Sequence, residues 1–223
     1  MCMPSDADKP KIKILRNGPY VVTGKVPLRE MIIVQKGKHC EYKEGRELPQ
    51  AAQYELCRCG KSKDRIFCDG RHAQVAFDGT ETASMEPYDK RAEKIEGPAL
   101  DLLDDGRCGL ARFCHREAGS AWKLIEKSDD PVCKQEAIIA ASECPTGRLV
   151  AVEKDGTQLE PVYEPSIDIL RDPGKGVNSG IFVKGNIPIE SAEGELYEVR
   201  NRVLLCRCGK SITKPFCDAL HLI

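Results

Sequence analysis

Short apolar stretches broken by Gly, Pro and charged residues run the length of the chain, and the pattern near one end returns near the other. Tyr20-Val21-Val22-Thr23-Gly24-Lys25-Val26-Pro27-Leu28 parallels Ile181-Phe182-Val183-Lys184-Gly185-Asn186-Ile187-Pro188-Ile189. In each copy this pattern predicts a β-rich pair, a stretch punctuated by Gly and Pro, and a further strand, Gln53 to Leu56 or Arg202 to Leu205. The first copy carries about a dozen extra residues between these parts, the size of a surface insertion, and Met31 to Gly45 reads as a hairpin. Between the copies, from about Ile95 to Glu153, the pattern changes. Ala99 to Leu103 reads as a strand and Asp104-Asp105-Gly106 as a turn. Pro131 to Ser142 reads as a helix with Asp130 at its N-cap and apolar Val132, Ile138, Ile139 and Ala141 on or near one face. Leu149 to Val152 reads as a returning strand, and the polar segments Glu81 to Glu96 and Asp155 to Val177 as linkers, with Asp89 to Glu96 a solvated face. The expected architecture is α+β, with β-rich modules at 11–80 and 177–223 flanking a third module at 95–155.

The repeat also carries chemistry. Cys57, Cys59, Cys68 and His72 have the same spacing as Cys206, Cys208, Cys217 and His221: Cys-x-Cys, eight residues, Cys, three residues, His. The flanks agree too, Leu56-Cys57-Arg58-Cys59-Gly60-Lys61-Ser62 against Leu205-Cys206-Arg207-Cys208-Gly209-Lys210-Ser211. Three thiolates and one imidazole hold either zinc or an iron–sulfur cluster, and zinc sites usually begin Cys-x2–4-Cys, so the tighter Cys-x-Cys start favours iron and sulfide. Asp69 and Asp218 are placed to cap a short helical turn that returns the histidine to the metal. Arg58, Arg207, Lys61 and Lys210, with the backbone amides near Gly60 and Gly209, are candidates to lie against an anionic cluster. In the middle module Cys108 and Cys114 are five residues apart and Cys144 is followed by Pro145.

Composition narrows the setting. Twelve cysteines in 223 residues exceed ordinary usage. The opening Met1-Cys2-Met3-Pro4-Ser5-Asp6 lacks the basic and apolar regions of a signal peptide, so the thiols are expected to be reduced and the protein cytoplasmic. A formal charge of −1, from 34 basic and 35 acidic residues, gives no footprint for nucleic acid, and no apolar run approaches a membrane span. Cys2 and Cys40 read as incidental, Cys133 as a core residue on the helix, and His39 and His115 as surface residues, with His115 also placed to tune a cluster beside Cys114. Trp122 is expected to pack on the middle module.

The segments Cys-Arg-Cys-Gly-Lys-Ser, Phe-Cys-Asp-Gly-Arg-His and Pro-Phe-Cys-Asp-Ala-Leu-His resemble the CDGSH iron–sulfur family, which includes mitoNEET-like proteins. The resemblance implies a 2Fe-2S cluster in each copy, one iron on Cys57 and Cys59 and the other on Cys68 and His72, with Cys206, Cys208, Cys217 and His221 repeating the set. It also implies a pseudo-twofold arrangement of the two copies like the dimers of that family, and hence a monomer with internal symmetry. The second copy has Ala219 where the family has glycine, and the first has Ile66 where the second has Pro215. The middle stretch resembles divergent one-cluster ferredoxin domains, with Ala111 where a four-iron cluster would have cysteine. Cys108, Cys114 and Cys144 therefore suit a 3Fe-4S cluster, or a 4Fe-4S cluster whose last ligand is Cys133 or His115. The functional expectation is an electron carrier serving redox partner proteins. The alternative is a cluster donor to apo-proteins or a redox and pH sensor, and an enzyme is not expected because no nucleotide fingerprint or nucleophile–base pair is present.

Overall fold

The computed structural model describes residues 9–223, so Cys2 and the opening stretch read for a leader lie outside the described residues. The first third forms β1 (Lys11–Ile14), β2 (Tyr20–Thr23), β3 (Leu28–Lys36), β4 (His39–Glu47), β5 (Tyr54–Leu56) and the short helix α1 (Arg71–Gln74). The middle contains α2 (Tyr88–Arg91), β6 (Glu93–Ile95), β7 (Leu100–Asp104), β8 (His115–Arg116), β9 (Gly119–Ser120), α3 (Ala121–Ile125), α4 (Pro131–Ser142), β10 (Leu149–Glu153) and β11 (Gln158–Leu159). The last third adds β12 (Ser166–Asp172), β13 (Val177–Lys184), β14 (Ile189–Glu190) and β15 (Arg202–Leu205). Small sheets dominate and helices are few, with two β-rich end regions around a mixed middle.

The end regions exchange strands. One sheet runs β14-β1-β2-β5 and the other β15-β13-β12-β3-β4. Ile189 of β14 pairs in parallel with Ile12 of β1, and Leu28 of β3 pairs in parallel with Ile167 of β12. Leu28 and Ile189 are the matching residues of the sequence repeat, each just after its Pro, and each crosses to the other copy's sheet. Apolar side chains of both sheets, among them Ile12, Tyr20, Leu56, Ile167, Ile181 and Leu205, merge into one hydrophobic cluster. Burial of apolar surface therefore holds the copies together as one unit.

The hairpin expected within Met31 to Gly45 is β3–β4, extended at both ends. The helix spans Pro131–Ser142 as expected, with the Asp130 carboxylate accepting from Val132 N and Cys133 N, both at 2.9 Å. Its buried face is different: Ala137, Ala140 and Ala141 are covered, while Val132 is 66% exposed. Small residues on that face let α4 lie close on α3 and β10. Neither linker expectation survives intact. Glu93–Ile95 adds an edge strand to β7, and Tyr88 is buried, its hydroxyl donating to Leu103 and Arg148 oxygens at 3.2 and 2.9 Å. Ser166–Asp172 is an internal strand between β13 and β3, because Asp168, which reads as a surface residue, is buried in an ion pair with Lys184 and lies 3.3 Å from Arg29.

Candidate metal centres

Each repeated loop is closed by the same backbone bonds. Cys57 N donates to Ile66 O at 2.7 Å and Cys68 N to Glu55 O at 2.9 Å; Cys206 N donates to Pro215 O at 2.8 Å and Cys217 N to Leu204 O at 2.8 Å. The loop uses only the carbonyl at position 66 or 215 for this closure, so isoleucine and proline serve alike there. The expected aspartates act from one residue before the cap: Asp69 accepts from Arg71 N and Asp218 from Leu220 N, both at 3.3 Å. Gly70 (φ 81°) and Ala219 (φ 68°) occupy the N-cap positions in the left-handed conformation. The other oxygen of each carboxylate accepts from further back, Asp69 from Lys63 N at 2.9 Å and Asp218 from Ile212 N at 2.8 Å, tying the loop back on itself. Ala219 thus reproduces the glycine turn, at a cost of about 1–2 kcal/mol for the Cβ.

These turns bring the donors together in pairs. Cys57 Sγ lies 3.8 Å from Cys59 Sγ and Cys68 Sγ 3.3 Å from His72 Nδ1; Cys206 and Cys208 sulfurs are 3.6 Å apart and Cys217 Sγ is 3.5 Å from His221 Nδ1. Two ligands on one tetrahedral metal, with bonds of about 2.0–2.3 Å, are separated by roughly 3.3–3.8 Å, so each pair fits one metal atom. Among the described residues no three or more His, Cys, Asp or Glu side chains converge on a single ion.

Burial acts against bare thiolates at these positions. It raises the Cys59 and Cys68 thiols and pushes Cys217 up to about 12. In the pair of the second copy, a hydrogen bond from Cys208 holds Cys206 down at about 6 and raises Cys208 itself. Lys210 N points at Cys208 Sγ from 3.4 Å, as expected of the amides past the loop glycine. Burial, then the Arg207 charge, keeps His221 below its ordinary value, which favours the neutral imidazole a metal needs.

The arginines differ from expectation. Arg58 and Arg207 are 2% and 4% exposed, and their guanidinium groups serve main-chain oxygens. Arg58 donates to Leu15 O at 3.3 Å and to Gly79 O; Arg207 donates to Ser179, Leu170 and Arg65 oxygens at 2.8, 3.0 and 2.9 Å. Each is wedged into the fold, Arg58 against the Tyr20 and Phe77 rings. Arg207 of the second copy also interacts electrostatically with Cys57 of the first, and burial pushes it down to about 10, still a cation near neutral pH. The copies touch reciprocally here. A Cβ on Gly60 would meet Cys208 O at 2.6 Å, and one on Gly209 would meet Cys59 O at 2.7 Å. The Tyr20 hydroxyl donates from the first copy to Cys206 O at 2.8 Å in the second.

In the middle module Cys108, Cys114 and Cys144 line one cavity with Ala111, Phe113, Trp122 and Leu149. Burial, reinforced by the other two cysteines, pushes the Cys114 thiol up to about 11. Leu110 N donates to Cys108 Sγ at 3.3 Å. Trp122 packs as expected, its Nε1 donating to Asp104 at 3.1 Å beneath the Arg148 guanidinium. Cys133 sits half-buried against the core of this module and His115 is exposed on β8; neither is among the residues that line the cavity of the three cysteines. Cys40 is buried in an apolar cluster that also contains Ala111, Phe113 and Cys217.

Two contacts that sequence reading missed join the middle module to the second copy. Arg202, 1% exposed, donates to the oxygens of Ala141, Ser142, Cys144 and Leu149 and pairs with Glu160. It fixes the end of α4 and the Cys144 turn against β15. Gly109 lies against the second copy so closely that a Cβ there would be 3.8 Å from Cys217 Sγ. An arginine in a strand facing a helix C-terminus was the available signal for the first, but its partner lies 58 residues away at Cys144.

Thiolate and imidazole pairs repeated across two exchanged copies, beside a three-cysteine cavity, define an iron–sulfur class of protein. Residues 17–73 and 178–222 match the family model described as iron-binding zinc finger, CDGSH type, and residues 95–154 match a divergent 4Fe-4S mono-cluster family. The chain carries two CDGSH-type iron-binding regions flanking a divergent 4Fe-4S mono-cluster domain. No curated protein and no solved structure matches the chain. No helix among the described residues is long and apolar enough to cross a membrane.

Proposed function

We propose that the chain is a non-catalytic electron-transfer protein with three iron–sulfur sites on one polypeptide. Cys57, Cys59, Cys68 and His72 would hold one 2Fe-2S cluster; Cys206, Cys208, Cys217 and His221 a second; and Cys108, Cys114 and Cys144 a 3Fe-4S cluster, or a 4Fe-4S cluster with one iron lacking a protein ligand because Ala111 offers none. The clusters, when bound, supply one-electron storage. The pairing of donors at single-metal distances supports two-iron sites over single zinc ions. Reciprocal strand exchange and the Gly60–Cys208 and Gly209–Cys59 contacts support a pseudo-twofold relation between the copies.

The observation that carries the electron-transfer reading is adjacency. Gly109, next to Cys108, lies against Cys217, and Cys208 lies against Gly60, so the donor sets follow one another in the order centre, second copy, first copy. Buried Arg58, Arg207 and Arg202, each anchored to main-chain oxygens, keep these loops rigid, as a carrier requires between its two charge states. A second reading, cluster donation or sensing, is favoured by His72, which lines an open surface hollow with Arg16, Asn17 and Phe77.

Electron paramagnetic resonance on anaerobically purified protein, with iron, sulfide and zinc assayed in the same sample, tests the proposal. Roughly seven irons and a signal in the oxidised protein match two 2Fe-2S and one 3Fe-4S site; about eight irons and silence until reduction match the four-iron alternative. Stoichiometric zinc overturns the reading. Rapid reversible reduction with all iron retained supports transport, whereas loss of iron to an apo-ferredoxin supports donation.

A further inference from the structure

The two copies enclose a cleft of about 310 Å³ beside the second site, walled by Gly60, Lys61 and Arg65 of one copy and by Asn178, Arg207, Lys210, Cys208 and His221 of the other. Four of its residues are cationic and none is acidic. Lys61, Arg65 and Lys210 are exposed. Arg207 bonds only main-chain oxygens, and Lys210 reaches the main-chain oxygen of Ile223. Among the described residues none of the four is in an ion pair with a side-chain carboxylate. The acidic groups that act on its residues are engaged elsewhere: Glu30 with Arg46 at 3.3 Å, Asp172 with Arg112 at 2.7 Å, and Asp218 with Ile212 N at 2.8 Å. A concave site of several hundred cubic ångströms lined by unmatched cations is the size and charge of a small-anion site, and two of its walls are donors of the second site.

We infer that this cleft binds a small anionic one-electron carrier, which exchanges electrons with the second site through Cys208 and His221. The inference rests on the electron-transfer reading above. The exchange is an outer-sphere step: the reduced site loses one electron, the carrier gains it, no bond forms or breaks, and no proton moves. A slot between the two copies admits a small molecule, while a folded partner's face would meet only the rim.

Two probes test this on the full chain. Hexacyanochromate(III), a redox-inert trianion, is titrated by calorimetry to measure binding, and reoxidation of dithionite-reduced protein is timed with hexacyanoferrate(III) and with the cation hexaammineruthenium(III). Arg65→Asn and Asn178→Asp alter charge on the two walls of the cleft at positions that are neither proposed ligands nor within two residues of one, and asparagine tolerates the left-handed backbone of Arg65 (φ 59°). The expected result is one hexacyanochromate site per chain, weakened about tenfold or more in the double variant at low salt, with hexacyanoferrate reoxidation slowed about tenfold and the ruthenium reaction unslowed. Unchanged binding, or weakened binding with an unchanged hexacyanoferrate rate, overturns the inference. So does a variant effect seen only with an acidic ferredoxin as oxidant, which would assign the cations to a protein partner. Zinc in the wild-type protein would defeat the electron-transfer reading instead, and the hexacyanochromate arm would still decide the cleft.

Discussion

The two copies share a ligand spacing and a loop geometry, yet they occupy different places in the molecule. In the second copy Cys217 is 4% exposed, shares an apolar cluster with Phe113 and Ala111 of the middle module, and lies beside Gly109. In the first, Cys68 and His72 are only half-buried, and His72 lines an open hollow. Each copy thus buries two thiols and leaves two donors half-buried, Cys68 and His72 in the first and Cys208 and His221 in the second, but only the second sets a cysteine, Cys217, at a junction with the middle module. What differs is not the donor set but the module that covers it.

The sharpest way to break the comparison is at the glycines the copies share. Gly60 and Gly209 have φ of 70° and 78°, and a Cβ at either would run into the other copy's Cys208 or Cys59 backbone. Gly60→Ala and Gly209→Ala should each cost roughly 2–5 kcal/mol, from left-handed strain plus a clash with unyielding backbone. Gly70→Ala is the control: its φ is 81°, but a Cβ there meets nothing within 4 Å, and the second copy already has Ala219 at the same turn. It should cost only about 1–2 kcal/mol. Thermal unfolding followed by visible absorbance separates the cases, and equal losses for all three would sink the claim that the copies dock through these glycines.

Next in size is the middle module, whose cavity is lined by its own residues. Ala111 is 6% exposed and lines the cavity with Cys108, Cys114 and Cys144. Ala111→Cys should add a fourth thiolate and raise the iron content by about one per chain, with loss of the oxidised-state resonance signal. An unchanged signal and iron count in a folded variant would show that the cavity does not present this position to a metal. Cys133→Ala, by contrast, should leave the iron content as it was.

Much of this was legible in the sequence, for reasons that differ by element. The ligand quartets, the α4 boundaries and the β3–β4 hairpin follow from local spacing, caps and alternation, which act over a few residues. The strand β12 was hidden because its buried Asp168 and Asp172 read as solvated until Lys184, Arg29 and Arg112 are brought beside them. The roles of Arg58 and Arg207 were hidden for the same reason: a guanidinium between two cysteines suggests an anion, and only the folded chain shows it donating to main-chain oxygens. The crossing of Leu28 and Ile189 into opposite sheets lies beyond sequence reading, since the repeat itself was plain but nothing local says which copy each strand will join.

The smallest expected difference concerns acid. His221 is held below its ordinary 6.5 by burial first and by Arg207 second. Between its folded value and 6.5 the unfolded chain takes the proton and the folded chain does not, so stability of the metal-free second copy rises with pH across that window and falls as pH drops through it. The same depression leaves the ring nitrogen free for a metal at lower pH than an ordinary imidazole allows. Replacing either histidine with cysteine should slow acid-triggered bleaching, because one protonatable ligand is gone. The two variants should then part. His72→Cys leaves His221 as the only imidazole ligand, and its remaining bleaching should set in at a lower pH than that of His221→Cys, which leaves His72 in its open hollow. Absorbance decay followed from neutral to mildly acidic pH makes the measurement. If the two variants bleach at the same pH, cover by Arg207 and the middle module does not reach the imidazole, and the contrast between the copies ends at the sulfurs.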